Sequence, residues 1–218
     1  MDISPIQVSS YFLLIFLALL FFFGVVVRLV RRFYHFPTPS FLIPLLDNPV
    51  RRRIQSPRKI ADRIDLHRGM SVVEVGPGTG TFTTEVSKRV APIGIVYALD
   101  ISPKTIGKLR VRVRKERSGT IAPIIASACD IPIRRAAVDR VFMVAVLAEI
   151  PDRRKALMEF ARILKPDGLL SVSEFLSDPD YPLRRTVTKW CRKAGFKSIS
   201  SHGSLLEYTL DFQIADNH

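Results

Sequence analysis

Nine residues, Val72-Val-Glu-Val-Gly-Pro-Gly-Thr-Gly80, constrain the fold more than any other stretch of the chain. Val72, Val73 and Val75 surround Glu74 in a short apolar run of strand length, and Gly76, Gly78 and Gly80 turn the chain tightly. A helical pattern over 83–90 follows. A strand that ends in glycines and feeds a helix lets bare backbone approach a ligand. The dinucleotide fingerprint requires G-x-G-x-x-G, but position 81 is threonine and the spacing here is G-x-G-x-G. That departure disfavours a nicotinamide or flavin pyrophosphate site.

Four further stretches follow in order. Val96-Tyr-Ala-Leu-Asp100 is a second apolar strand ending in an acid, twenty positions after Gly80. An acid at about that distance is placed to accept hydrogen bonds from ribose hydroxyls. Then come Ala126-Ser-Ala-Cys-Asp130-Ile-Pro132, Val138-Asp-Arg-Val-Phe-Met-Val144 and Leu164-Lys-Pro-Asp-Gly168. Together with the glycine turn, this series resembles the class I S-adenosylmethionine-dependent methyltransferases. Within that class it resembles the type 11 and UbiE-like enzymes of small molecules and lipids. The five matches span 72–174. In that family they correspond to motif I, the ribose acid, the adenine loop, the fourth strand and the turn before the fifth.

The resemblance implies an α/β fold: a Rossmann-like, doubly wound seven-stranded sheet whose last strand is antiparallel. The residues themselves give the same alternation. Helices are expected over 56–64, 83–90, 103–116, 157–164 and 182–194. Strands are expected over 72–75, 93–100, 121–126, 141–147, 168–174, 197–201 and 207–212. Ser56-Pro57 makes a good cap and first turn for the first helix. In the 103–116 helix, Ile106, Leu109 and Val113 are expected inward, with Lys104, Lys108, Arg112 and Lys115 outward. Strands alternating with helices at this spacing mean a doubly wound sheet. Ligands in such sheets sit at the carboxyl ends of the strands.

At 218 residues the chain allows one domain and an appendage, and the expected division is 1–35, 36–55 and 56–218. Residues 11–27 are free of charge and proline, and Leu29 and Val30 extend the run past Arg28. That is long enough for one N-terminal transmembrane helix. The first ten residues carry Asp2 and no lysine or arginine, the wrong leader for a cleaved signal. Between 28 and 68, ten basic residues face three acids. By the positive-inside rule this basic collar puts the domain on the cytoplasmic side of a membrane. Prolines at 37, 39 and 44 break the connector. Its apolar residues beside Arg51, Arg52 and Arg53 can lie in a headgroup layer or cap the domain core. The formal net charge of +13 calls for an anionic partner, nucleic acid or a membrane surface. Because much of the excess falls in this collar, an anionic membrane surface is favoured. Cys129 and Cys191 form no ligand cluster, and no metal site is expected.

The resemblance assigns cofactor binding to Glu74, Gly76, Pro77, Gly78, Thr79, Gly80, Asp100, Ile101, Asp130, Ile131 and Leu147. Glu74 would organise the glycine loop and the methionine ammonium, and Asp130 would lie near the adenine amino group. Glu74 is also notable in its own right, since a charge inside an apolar strand is costly unless paired. Asp139 is expected to serve turn and helix packing. The sulfonium of S-adenosylmethionine is already an activated donor, so methyl transfer mainly needs alignment and exclusion of water. Glu149, after the fourth strand, and Glu174, after the fifth, are the candidate catalytic residues on the acceptor side, each with a structural alternative as helix cap or ion-pair partner. Tyr208 is a candidate lining residue; His67 and His202 receive no role.

Residues 53–80 also resemble the ribosomal RNA adenine dimethylases, which share the G-P-G-T-G turn. Those enzymes carry an asparagine and an aromatic after the fourth strand, whereas this chain reads Val146-Leu-Ala-Glu-Ile-Pro151. Base methylation is therefore disfavoured. The expected activity is methyl transfer to a lipid or lipophilic small molecule, such as a phospholipid amine or a quinone precursor. The alternatives are a tethered RNA or protein methyltransferase and a non-catalytic cofactor-binding scaffold.

Overall fold

The computed structural model describes residues 56–215 except 117, 177 and 179, together with Tyr11, Leu14, Ile15, Ala18 and Phe22. The chain divides into two units, Met1–Pro37 and Thr38–His218. Most of the expected membrane helix and the whole 36–55 connector lie outside the described residues. Among the described residues no helix is long and apolar enough to cross a membrane. The five described residues of the first unit are helical and exposed.

The second unit runs α1 (Pro57–Arg63), β1 (Ser71–Val75), α2 (Thr81–Val90), β2 (Ile95–Asp100), α3 (Pro103–Glu116) and β3 (Ile121–Ile125). It continues with β4 (Val138–Val144), a 3-10 turn (Leu147–Glu149), α4 (Arg153–Ile163), β5 (Leu164–Phe175), α5 (Arg184–Lys193), β6 (Phe196–Gly203) and β7 (Glu207–Ile214). The seven strands form one sheet in the order β3-β2-β1-β4-β5-β7-β6. β1 to β5 pair in parallel, and β7 runs antiparallel to both β5 and β6. The expected seven-stranded sheet with its last strand antiparallel is therefore present.

Strand alternation sends neighbouring residues to opposite faces. Val72 and Val96 meet Ile60 of α1, Ile64 just past its end, and Val86 and Val90 of α2, while Ile106 and Leu109 of α3 pack on Ala98. Val73, Val75, Met143 and Val172 face the other way, onto Leu157 and Phe160 of α4 and Val187 and Cys191 of α5. The sheet thus lies between two helical layers. Apolar burial holds it, at roughly 25 cal/mol per Å² removed from water. Half-exposed pairs such as Arg112–Glu116 add little by comparison. Asp139, expected in turn and helix packing, instead ties strands, accepting from Ser71 N at the start of β1 (2.8 Å) and from Lys165 Nζ in β5 (2.6 Å).

Several local expectations are corrected. The fourth strand is Val138–Val144, as the resemblance implies, and not 141–147 as the apolar run suggests. Ala145 takes φ +55, and the chain then coils through the 3-10 turn containing Leu147. The fifth strand begins at Leu164, which pairs with Val138 ahead of a register shift, so 165–168 form an irregularity inside a strand rather than a turn before it. Leu183 is extended, so α5 starts at Arg184, two residues later than expected. Ser56 precedes α1 without a side-chain cap bond.

Candidate active site

The strand order reverses between β1 and β4, where the loops after both strands leave in opposite directions and open a crevice. The loop after β1 is the glycine turn. Gly76, Gly78 and Gly80 have φ of +70, +54 and +82, in the left-handed region that favours glycine. A Cβ on Gly76 would stand 2.5 Å from Val146 Cγ2, so the β1 and β4 loops touch there. A Cβ on Gly80 would stand 2.5 Å from Leu109 Cδ1. A Cβ on Gly78 would meet nothing within 4 Å. Two glycines are thus required by protein packing, and the third leaves bare backbone facing open space.

Beneath the turn, Glu74 is 1% exposed. Its Oε2 and the Thr83 Oγ1 have no hydrogen-bond partner among the described residues. Burial pushes the Glu74 carboxyl up to about 8, tempered by the nearby Thr83 hydroxyl and the Arg112 charge. Arg112 departs from its expected outward position: half-buried, it lies over the glycine turn and donates Nη1–H to Thr79 O at 2.8 Å. One turn after Lys108 on a face read as solvated, its role left no mark in the sequence pattern.

Asp100 ends β2, and its Oδ1 accepts from Ser102 N at 2.8 Å. Burial raises its pKa, and the Ser102 N–H offsets part of that rise. Ile101 beside it is 74% exposed. Asp130 is exposed in a turn closed by its own N–H to Ser127 O (3.0 Å). Ile131 is buried in the core, and its N–H donates to Glu159 Oε2 at 3.1 Å. Leu147 is likewise a core residue, next to Val146, which touches the glycine turn. The residues named from the sequence therefore gather at the carboxyl ends of β1, β2, β3 and β4. Ile131 and Leu147 are engaged there in packing.

A buried carboxylate with one oxygen unpartnered, an open glycine and a strand-end aspartate suit a ligand with a cationic end and sugar hydroxyls. That chemistry fits S-adenosylmethionine. Cofactor backbone contacts would come from the Pro77–Gly78–Thr79 peptide units.

A second group of buried polar side chains, including the candidate Glu174, sits on β5 and β7. Glu174 pairs in register with Tyr208, which puts both side chains on the α4–α5 face of the sheet. Glu174 is 1% exposed, with Oε1 lacking a hydrogen-bond partner. Burial holds its pKa well above the usual carboxylate range, reinforced by the charges of Asp178, Glu149 and Asp180. Glu149 lies in the 3-10 turn after β4 and donates N–H to Val146 O. Tyr208 is fully buried and donates its hydroxyl to Pro182 O at 2.6 Å. Tyr181 meets it edge-on at 5.5 Å, and the Arg184 guanidinium stands 5.3 Å from its ring centre. Tyr181 and Arg184 carried no motif in the sequence; only the register of β7 against β5 brings them here. With strands about 4.8 Å apart, Glu174 lies about 10 Å across the sheet from the end of β1. His202 stands apart from this cluster, with Ser200 and Asp211 on the β6–β7 pair.

The methyltransferase domain family matches residues 73–172. Over 146 residues the chain is 31% identical to the ubiquinone/menaquinone biosynthesis C-methyltransferase UbiE of Hahella chejuensis, covering 66% of this chain and 57% of that protein. Over 135 residues it is 28% identical to the O-methyltransferase cnsE of Penicillium expansum, covering 58% and 46%. A solved S-adenosylmethionine-dependent methyltransferase from Aquifex aeolicus has the same fold. Its TM-score is 0.77 at 23% identity, covering 82% of this chain and 100% of that one. The chain spans about half the length of the curated relatives it matches. Residues 73–172 thus match a methyltransferase domain, and that match together with the fold implies an S-adenosylmethionine cofactor.

Proposed function

We propose that the chain is a membrane-associated S-adenosylmethionine-dependent methyltransferase acting on a lipophilic small molecule, with a phospholipid amine or a quinone precursor as the leading acceptors. The observation that carries the methyltransferase reading is the buried Glu74, whose Oε2 lacks a hydrogen-bond partner, under the open Gly78 and one strand from Asp100. When bound, the cofactor supplies an activated methyl group on sulfur. Glu74 would hold the cofactor ammonium and Asp100 a ribose hydroxyl, while Arg112 keeps the turn in shape through Thr79 O.

Glu174 would orient the acceptor and take its proton. A carboxyl held above its usual range is a stronger base once ionised, which suits a hydroxyl or activated carbon acid. The relatives include a ubiquinone/menaquinone biosynthesis C-methyltransferase and an O-methyltransferase, by name enzymes that methylate carbon and oxygen. Support for membrane association is separate: the apolar run at 11–27, the basic collar, and the exposed helical side chains of Tyr11, Leu14, Ile15 and Phe22. An enzyme held at a bilayer meets a lipophilic acceptor in two dimensions.

The test is transfer of labelled methyl from S-adenosylmethionine to separated lipid, RNA and aqueous small-molecule extracts of the source cells. Label in the organic phase is expected. Label in RNA alone, or in no fraction, contradicts the reading.

A further inference from the structure

We propose that the outer face of α5, with the β6–β7 turn beside it, is a docking surface for an anionic lipid bilayer. The inference deepens the lipophilic-acceptor reading and rests on it. Two observations on the domain itself carry it, one of charge and one of exposed apolar surface.

α5 contains Arg184, Arg185, Lys189, Arg192 and Lys193 and no acid. These five cations line one open groove between the helix and β6, shared with the Ser198 and Ser201 side chains. Several cations elsewhere on the domain are paired, Arg63 with Glu207, Arg89 with Asp62, Arg140 with Asp65, Arg162 with Glu159 and Lys165 with Asp139, whereas α3 also carries cations outside any ion pair among the described residues. Among the described residues Arg185, Lys189, Arg192 and Lys193 enter no ion pair. A row of uncompensated like charges is unfavourable in an isolated protein and becomes favourable against a surface of opposite sign.

At the amino end of α5 the basic row meets leucines. Arg184 donates to Ser201 Oγ (2.7 Å) and Ser204 O (2.9 Å), which fixes the helix start against the β6–β7 turn. Leu183, Leu205 and Leu206 are 65%, 83% and 62% exposed there. The turn is bracketed by Gly203 and by Glu207, the latter paired with Phe175 at the carboxyl end of β5. The leucines therefore stand on the rim of the acceptor side, a few residues from Tyr181 and Tyr208. RNA or an acidic peptide would satisfy the cations and leave these leucines in water. A bilayer takes both, with phosphate headgroups on the basic row and acyl chains around the leucines. Docked this way, the rim around Glu174 opens toward the layer that holds the acceptor.

The test uses the full chain carrying Leu206→Trp and Trp190→Phe, which leaves one indole because the sequence has a single tryptophan. The protein is bound to vesicles with brominated acyl chains, either phosphatidylcholine alone or phosphatidylcholine with phosphatidylglycerol. The expected result is quenching of the indole at position 206 in the anionic vesicles and little in the neutral ones. Quenching should fall by roughly fivefold or more for each cation reversed among Arg185→Glu, Lys189→Glu and Arg192→Glu. Unchanged cofactor affinity in the variants confirms that they are folded. Equal quenching in both vesicle types, or quenching indifferent to the reversals, overturns the proposal. So does a result in which the reversals abolish binding of a random-sequence RNA and leave quenching intact. Labelled-methyl transfer to lipid extract in detergent separates the two readings. Transfer without quenching refutes the docking face alone, whereas absence of transfer by the unaltered chain refutes the acceptor assignment.

Discussion

Glu74 shows how one buried side chain ties stability to ligand binding. The folded protein holds its proton up to about pH 8, whereas the unfolded chain releases it near the ordinary carboxyl value of 4.5. The proton therefore favours the fold at low pH, and this contribution is lost as pH rises from about 4.5 through about 8. Glu74→Gln should remove that slope. In urea titrations the unfolding free energies of ligand-free variant and parent should diverge toward alkaline pH, in the variant's favour, by on the order of a few kcal/mol. The same substitution should weaken cofactor binding, because the ionised carboxylate is the form that pairs with an ammonium. Glu174→Gln should leave cofactor affinity unchanged and lower methyl transfer by roughly 10²–10⁴-fold, as for loss of a general base. Equal loss of binding and transfer would place Glu174 in the cofactor site instead.

At the level of elements, the glycine turn does two separable things. Gly76→Ala puts a methyl into Val146 at a φ of +70, and both strain and overlap count against it. Gly78→Ala meets no neighbour and carries only the left-handed strain, about 1 kcal/mol. Thermal unfolding should therefore separate the two, with a marked drop for Gly76→Ala and a shift of only a few degrees for Gly78→Ala. Cofactor titration should show both impaired. The turn, Asp100 and the alternation of strands and helices were legible because each rests on local chemistry: glycine at positive φ, an acid at a strand end, and apolar period. What was not legible depends on contacts between distant elements. Arg112 reads as one more cation on a solvated helix until α3 packs beside the turn. Tyr181 and Arg184 gain meaning only when β7 registers against β5. The end of β4 was misplaced because Val146 and Leu147 are as apolar as a strand, yet Ala145 at φ +55 has already turned the chain.

For the whole molecule, the claim with most reach is that one crevice, at the switch between β1 and β4, binds S-adenosylmethionine, and that the methyl acceptor enters from the β5–β7 side. Basic charge and apolar rim then concern where the enzyme works rather than what it does. Deleting residues 1–37 should release the protein from membranes at high salt while preserving cofactor binding, since the residues assigned to the cradle all lie between 74 and 147. A full chain that needs no detergent and stays out of the membrane fraction would contradict the tether. The most direct test of the central claim is calorimetric titration of the full chain with S-adenosylmethionine near pH 7 in two buffers of different ionisation enthalpy. The account predicts one site, proton release on binding as Glu74 ionises, and loss of binding in Asp100→Ala. No binding, or affinity unchanged by that substitution, would contradict it.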